Sequence, residues 1–514
     1  MRTGRILIAV SVMVALAGCG PERTSTMDAT QCEDLGGLQL KDTTITRAET
    51  VAAGAFVPPR EFPWFGGPPA DFIPYDTLPS FCRVALSIEP VPDSDIKLEV
   101  WMPAQGWNGK FVGVGNGGFW GEIMYPRMSE PLIRGYAVAS TDTGHEGAVD
   151  DGSFAVGHPE KLIDHGYRAI HEMTVRSKAI VAAHYGSAPQ RSYWVGCSTG
   201  GRQGLMEAQR FPDDYDGISA GAPANNWVPL MASGIWITAA LTDPAGGVPE
   251  AKLPVILNAA VAACDARDGV TDRVIGDPAD CEFDPEILAC ESGDAPDCLT
   301  AGEVESLRRI YRGPVNPRTG EQIFPAVEPG SELELAAFLR FRIYENYFRQ
   351  LVVRDPAWDI RAFDYDRDLE SAMEQEGGIL AATDPDLSAF VARGGKLFLW
   401  HGWNDTLITP RNTIQYYEDV VATMGAERVK ESVRLFMLPG VLHCSGGEGP
   451  SDVDHLSVLD EWVEDGKAPD RIVARRTLEG GGERTRPLCP HPQRARYSGT
   501  GSTDDAASFQ CASE

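Results

Sequence analysis

The sequence predicts an α/β fold built on a mostly parallel sheet, and three observations carry that expectation. Short apolar runs of strand length recur between stretches with helical spacing. Two of those runs, ending at Gly196 and Trp400, stop beside residues able to do chemistry, where such sheets place their sites. A long segment, about 225 to 392, breaks the rhythm, so the domain is expected in two halves with an insertion between them.

Along the chain, Ile96–Trp101 alternates as a half-buried strand does. Lys110–Val114 is a short apolar run that stops at Gly115-Asn116-Gly117-Gly118, and Tyr136–Ser140 reads as a buried strand stopping at Thr141-Asp142. From about 164 to 184 the spacing is helical, with Ile170, Met173, Ile180 and Val181 on one side. Ser192–Gly196 is a strand, followed by Cys197-Ser198-Thr199-Gly200-Gly201 and a helix-compatible stretch from Arg202 to Arg210. Lys396–Trp400 and Val433–Leu438 are two further strands. The insertion holds four cysteines, many acids and the aromatic segment Phe341–Phe348.

The 514 residues are 43% hydrophobic, enough for a large buried core. A formal net charge of −29 argues against a nucleic-acid partner, whose phosphates need a basic surface, and against docking on anionic lipid. Arg2 and Arg5 precede an apolar run from Ile6 to Ala17, too short to span a bilayer but of secretory length. Because it ends in Leu16-Ala17-Gly18-Cys19, residues 1–18 are expected to be a signal peptide. The same ending resembles the lipobox of bacterial lipoproteins, in which Cys19 becomes the lipidated first residue; an ordinary signal peptide that carries Cys19 is the alternative. The expected location is therefore the bacterial periplasm or an outer-membrane anchor, otherwise secretion, and any membrane contact runs through that anchor alone. The polar residues 19–45 read as a tether. Beyond Cys19 ten cysteines remain, an even number that points to disulfides in an exported chain, and none lies in a C-x-x-C pair.

Gly196-Cys197-Ser198-Thr199-Gly200 fits G-x-S-x-G. A serine hydroxyl is a weak nucleophile that needs a sharp turn to expose it and a base to take its proton, and strand, turn and helix supply that context here. The partners should follow in the order Asp, His. Asp405 lies just beyond the strand ending at Trp400, and His443 beyond the strand ending at Leu438. Ser198, Asp405 and His443 are therefore the expected triad; His401, which precedes the acid, is a rival base read as structural. Cys197 and Cys444 each adjoin a triad candidate, and a bond between them would staple the serine turn to the histidine loop. Thr199 and the Gly115–Gly118 loop are expected to offer N–H donors to an oxyanion. In the stretch Cys264–Val274, Asp265, Asp268 and Asp272 crowd three carboxylates together, which hard-oxygen coordination of calcium would relieve; a solvated loop is the alternative.

These residues resemble the tannase and feruloyl esterase family over nearly the whole mature chain, most specifically in Cys197-Ser198, Asp405 and His443-Cys444. Further matching stretches are Arg210–Ile218, Gly221–Ala224 and Arg486–Pro490. The resemblance implies an α/β-hydrolase core (46–224 and 393–514) with an inserted lid domain (225–392) that carries a calcium loop. It implies calcium held by Asp265, Asp268, Asp272 and the carbonyls of Val270 and Val274, no organic cofactor, and an oxyanion hole from Gly118 and Thr199. It also implies the pairs Cys32–Cys82, Cys197–Cys444, Cys264–Cys281, Cys290–Cys298 and Cys489–Cys511. The expected activity is hydrolysis of small aromatic carboxylic esters of feruloyl or galloyl type. The alternatives are a serine peptidase on the same fold and a non-catalytic calcium-dependent binding protein.

Overall fold

The computed structural model describes residues 1, 29–60, 72–478 and 480–513. The expected signal segment, apart from Met1, and Cys19 lie outside the described residues. Nine strands form the main sheet: β1 (Thr43–Val51), β2 (Phe81–Ile88), β3 (Ile96–Pro103), β4 (Lys110–Val114), β5 (Ala137–Thr141), β6 (Arg191–Cys197), β7 (Gly217–Gly221), β8 (Lys396–Gly402) and β9 (Val433–Leu438). Their spatial order is β1-β2-β3-β5-β4-β6-β7-β8-β9. From β5 to β9 every pairing is parallel, and β1, β2 and β3 join antiparallel at one edge.

The strand order positions the site. The chain passes from β4 to β5 on one side, then back across β4 to β6 on the other. At such a switch point the loops leaving the carboxyl ends of neighbouring strands diverge and open a crevice. The loops here are Gly115–Gly118 after β4 and Ser198 after β6.

Helices cover both faces. Ala169–Tyr185 buries Ile170, Met173, Ile180 and Val181 against the sheet, the face its spacing predicts, although Asp164–Arg168 before it is a π-helical turn. The strand at 96–103 differs from its half-buried expectation. It is buried on both faces because Phe56, Phe81 and Tyr125 cover the second one around Trp101. Its Glu99 accepts from Arg83 Nε at 2.8 Å, Trp101 Nε1 at 2.9 Å and Tyr125 Oη at 2.9 Å, which removes most of the cost of burying a charge.

The tether expected over 19–45 is corrected within its described part. Cys32 is bonded to Cys82, Leu35 is fully buried, and β1 starts at Thr43. The described part is thus fastened to the fold, and residues 43–45 already belong to the edge strand β1, which needs only one covered face.

Between β7 and β8 the described residues hold helices and turns with only isolated bridges. This insertion has its own apolar cluster, including Trp236, Leu307, Phe338 and Tyr347, which continues onto Phe119 and Ile408 of the sheet loops. Five disulfides brace the chain: Cys32–Cys82, Cys197–Cys444, Cys264–Cys281, Cys290–Cys298 and Cys489–Cys511. That framework belongs to a protein matured in an oxidising compartment. Among the described residues no helix is long and apolar enough to cross a membrane.

Candidate active site

Ser198 sits between β6 and the helix Thr199–Arg210 with φ 66° and ψ −124°, a backbone conformation that L residues rarely adopt. The surroundings enforce it. Ser198 N donates to Gly221 O at 3.0 Å, and Ser198 O accepts from Arg202 N at 3.0 Å and Ala224 N at 3.2 Å. Close approach explains the glycines of this turn and of the facing loop after β4: a Cβ on Gly196 would lie 2.5 Å from Gly200 O, and one on Gly115 2.5 Å from Gly200 Cα. Such strain persists only where the surrounding structure over-determines it, and it clusters at functional sites.

Asp405 follows β8 and is fully buried. Its Oδ2 accepts from His443 Nδ1 at 2.7 Å and from His401 Nε2 at 3.0 Å, and its Oδ1 from Ile408 N at 2.9 Å. His401 Nε2 also meets Ile408 O at 2.8 Å, so both of its partners are acceptors and that nitrogen carries the hydrogen. His401 thus holds the acid in place. Burial disfavours a charge on His443, but the charge and hydrogen bond of Asp405 outweigh it, so the imidazole pKa stands above its ordinary value. Burial likewise opposes ionisation of Asp405, and the two histidines prevail and hold its carboxyl low.

Ser198, Thr199, Gly118, His443 and the Cys197–Cys444 bond all line one cavity of about 680 Å³. Trp120, Trp227, Leu230, Met231, Phe341 and Tyr344 supply much of its apolar wall. Thr199 Oγ1 donates to Gly118 O at 3.0 Å and holds these two residues side by side. Gly118 has φ +47°, and a Cβ there would lie 2.3 Å from Val149 O. The loop is braced from the helix that follows Ser198: Asn116 N donates to Gln203 Oε1 at 3.0 Å, and Gln203 Nε2 to Asn116 Oδ1 at 3.2 Å. Sequence reading missed these braces, since Asn116 and Gln203 are 87 residues apart. It also missed Glu334 of the insertion, whose carboxylate reaches His443 N at 2.9 Å. Nothing local distinguishes that acid from its neighbours.

The acidic loop lies apart from this cavity, beside a smaller one of about 250 Å³ that Asp268, Asp272 and Val274 help to line. Asp265 accepts from Asp272 N at 3.2 Å and Arg273 N at 2.9 Å, which folds the loop back on itself. Burial pushes Asp268 up to about 6, and the charges of Asp272 and Asp265 add to it. These carboxylates are hard-oxygen donors of the kind calcium takes, although both Asp265 oxygens already accept backbone N–H groups and Arg486 pairs with Asp272 and offsets part of the charge. Among the described residues, the three metal-ligating side chains whose donor atoms lie within 4.8 Å of one another are elsewhere: His171, Glu207 and Asp214.

Sheet order, switch-point crevice and the strand–turn–helix at Ser198 define an α/β-hydrolase. The chain belongs to the tannase and feruloyl esterase family, whose profile matches residues 82–512. An uncharacterised esterase of Xanthomonas campestris is 38% identical, covering 96% of this chain and 93% of its own length. A probable feruloyl esterase B-1 of Aspergillus flavus is 33% identical, covering 84% of this chain and 86% of its own. Among solved structures, feruloyl esterase B from Aspergillus oryzae superposes with a TM-score of 0.85 at 29% identity, covering 94% of this chain and 99% of that one. The protein is a carboxylic ester hydrolase.

Proposed function

We propose that the chain hydrolyses esters of small aromatic carboxylic acids through Ser198, His443 and Asp405. The observation that carries this reading is His443 bonded through Nδ1 to buried Asp405 while lining the same apolar cavity as the strained Ser198. With Nδ1–H given to Asp405, Nε2 is the free base. It takes the Ser198 hydroxyl proton as Oγ attacks the acyl carbon. The resulting oxyanion is met by the backbone N–H groups of Gly118 and Thr199. On collapse the ester C–O bond breaks, and the imidazolium protonates the leaving alcohol. Water then adds to the acyl-enzyme with His443 again as base, releasing the acid and restoring Ser198.

Relatives named as feruloyl esterases and the tryptophan-, phenylalanine- and tyrosine-lined wall support an aromatic acyl group. A panel of methyl ferulate, methyl gallate, a terephthalate monoester and simple alkyl esters tests it. Preference in kcat/KM for the aromatic acids is expected, and equal rates on short alkyl esters refute the aromatic assignment. Calcium is assigned to Asp265, Asp268, Asp272 and the carbonyls of Val270 and Val274, where it would neutralise the crowded carboxylates and supply no catalytic step. Export through residues 1–18, with lipidation at Cys19, completes the proposal.

A further inference from the structure

The insertion is not simply laid over the cavity. It is bonded to the loop that carries the acid. Asn404 Nδ2 donates to Gly330 O, Thr409 Oγ1 to Pro325 O at 3.2 Å, and Tyr344 Oη to Leu407 O at 3.1 Å. Glu334 differs from these contacts because it touches two loops at once. Its Oε2 accepts from Thr406 N at 2.6 Å and Thr406 Oγ1 at 3.0 Å, one residue beyond Asp405, and its Oε1 accepts from His443 N.

We propose that Glu334 is a positioning residue of the insertion, whose carboxylate fastens the Asp405 loop to the His443 loop. The proposal rests on the triad reading. Its chemistry is specific to a carboxylate. Three donors from two loops converge on two oxygens, and only an ionised acid presents acceptors on both sides. A glutamine would turn an NH₂ toward one of those donors and leave a buried N–H without a partner. The charge also acts. Burial and the negative Asp405 push the Glu334 carboxyl up to about 7, while Glu334 itself raises the His443 imidazole. The titratable groups around it are Asp405, His443 and Tyr344, with His401 bonded to Asp405 and the Arg127 charge acting on His443. Such groups titrate as a unit, so the acid limb of kcat/KM against pH reports the set and not one residue.

The test compares E334Q and E334D with wild type in kcat, KM and the acid limb of kcat/KM. Phosphonylation of Ser198 by a fluorophosphonate serves as a control. E334Q is expected to lose about 10- to 100-fold in kcat with little change in KM, the scale of a small misalignment. Its acid limb should move down by about half a pH unit or more, because a neighbouring negative charge has gone. E334D keeps the charge but shortens the reach, so it is expected to lose kcat and hold the limb near its wild-type position. Should E334Q not fold, that combination in E334D carries the same meaning. A folded E334Q with an unshifted limb, or an E334D equal to wild type in kcat, overturns the assignment of Glu334 alone. A wild type that hydrolyses esters without being labelled at Ser198 overturns the triad reading beneath it.

Discussion

Removing the Cys197–Cys444 bond separates alignment from stability. The two Cα atoms are 5.9 Å apart and the bond closes a separation of 247 residues. In the chain-entropy model a loop of that size is worth about 5 kcal/mol, a large fraction of the ~5–15 kcal/mol that holds a typical domain. Four other disulfides still brace the fold. The alignment effect is separate. Each sulfur lies one residue from Ser198 or His443, and a displacement of about 1 Å costs on the order of 100-fold in rate, or about 2.7 kcal/mol of barrier. C197A/C444A is therefore expected to melt at a lower temperature, and also to lose about two orders of magnitude in kcat well below that melting point. The assay pairs a thermal melt with kcat on an activated aromatic ester, normalised to folded protein by circular dichroism. A folded double variant with wild-type kcat refutes the clamp. If the variant does not fold, the bond can be reduced in wild type, since both cysteines line the cavity. Alkylation and peptide mass spectrometry then show that only this pair opened.

S198A and H443A are each expected to lose more than about 10³-fold in kcat while keeping the wild-type melt, because members of such a unit act together; more than about 10% residual turnover in either refutes the assignment. Excess EGTA should lower Tm by a few degrees without changing the Ser198 labelling rate at low temperature, and added calcium should restore it; an unchanged Tm counts against a calcium site at Asp265–Val274. Asp142 bears on pH: burial pushes its carboxyl up to about 8, with Oδ1 accepting from Lys97 N and Gly144 N and Oδ2 without a hydrogen-bond partner among the described residues. The folded state thus keeps a proton that the unfolded chain releases near pH ~4, so this residue lowers stability as pH rises from about 4 to about 8. D142N mimics the protonated acid and should flatten Tm against pH over that window; a slope equal to wild type contradicts it.

The sequence by itself determined the parallel strands, the strand–turn–helix at Ser198 and the chain order Ser198, Asp405, His443. Each of these is written in local periodicity or in a short run of glycines whose spacing the turn requires. Local patterns carry no information about the second face of a strand or about distant partners, and there the structure decided. The alternation at Ile96–Trp101 reads as half-buried, yet Phe56 and Tyr125 close over it from elsewhere in the chain. The polar run before Thr43 reads as a tether, yet the Cys32–Cys82 bond and the buried Leu35 fasten it to the fold. A Cys197–Cys444 bond was suggested by the places of the two cysteines beside Ser198 and His443, but the full set of five pairs came from family likeness and not from spacing, because ten cysteines admit many pairings and only folded proximity selects among them. Glu334 had no sequence signal at all. It stands among many acids of the insertion and is singled out only because folding brings the amides of Thr406 and His443, 72 and 109 residues away, to its two oxygens.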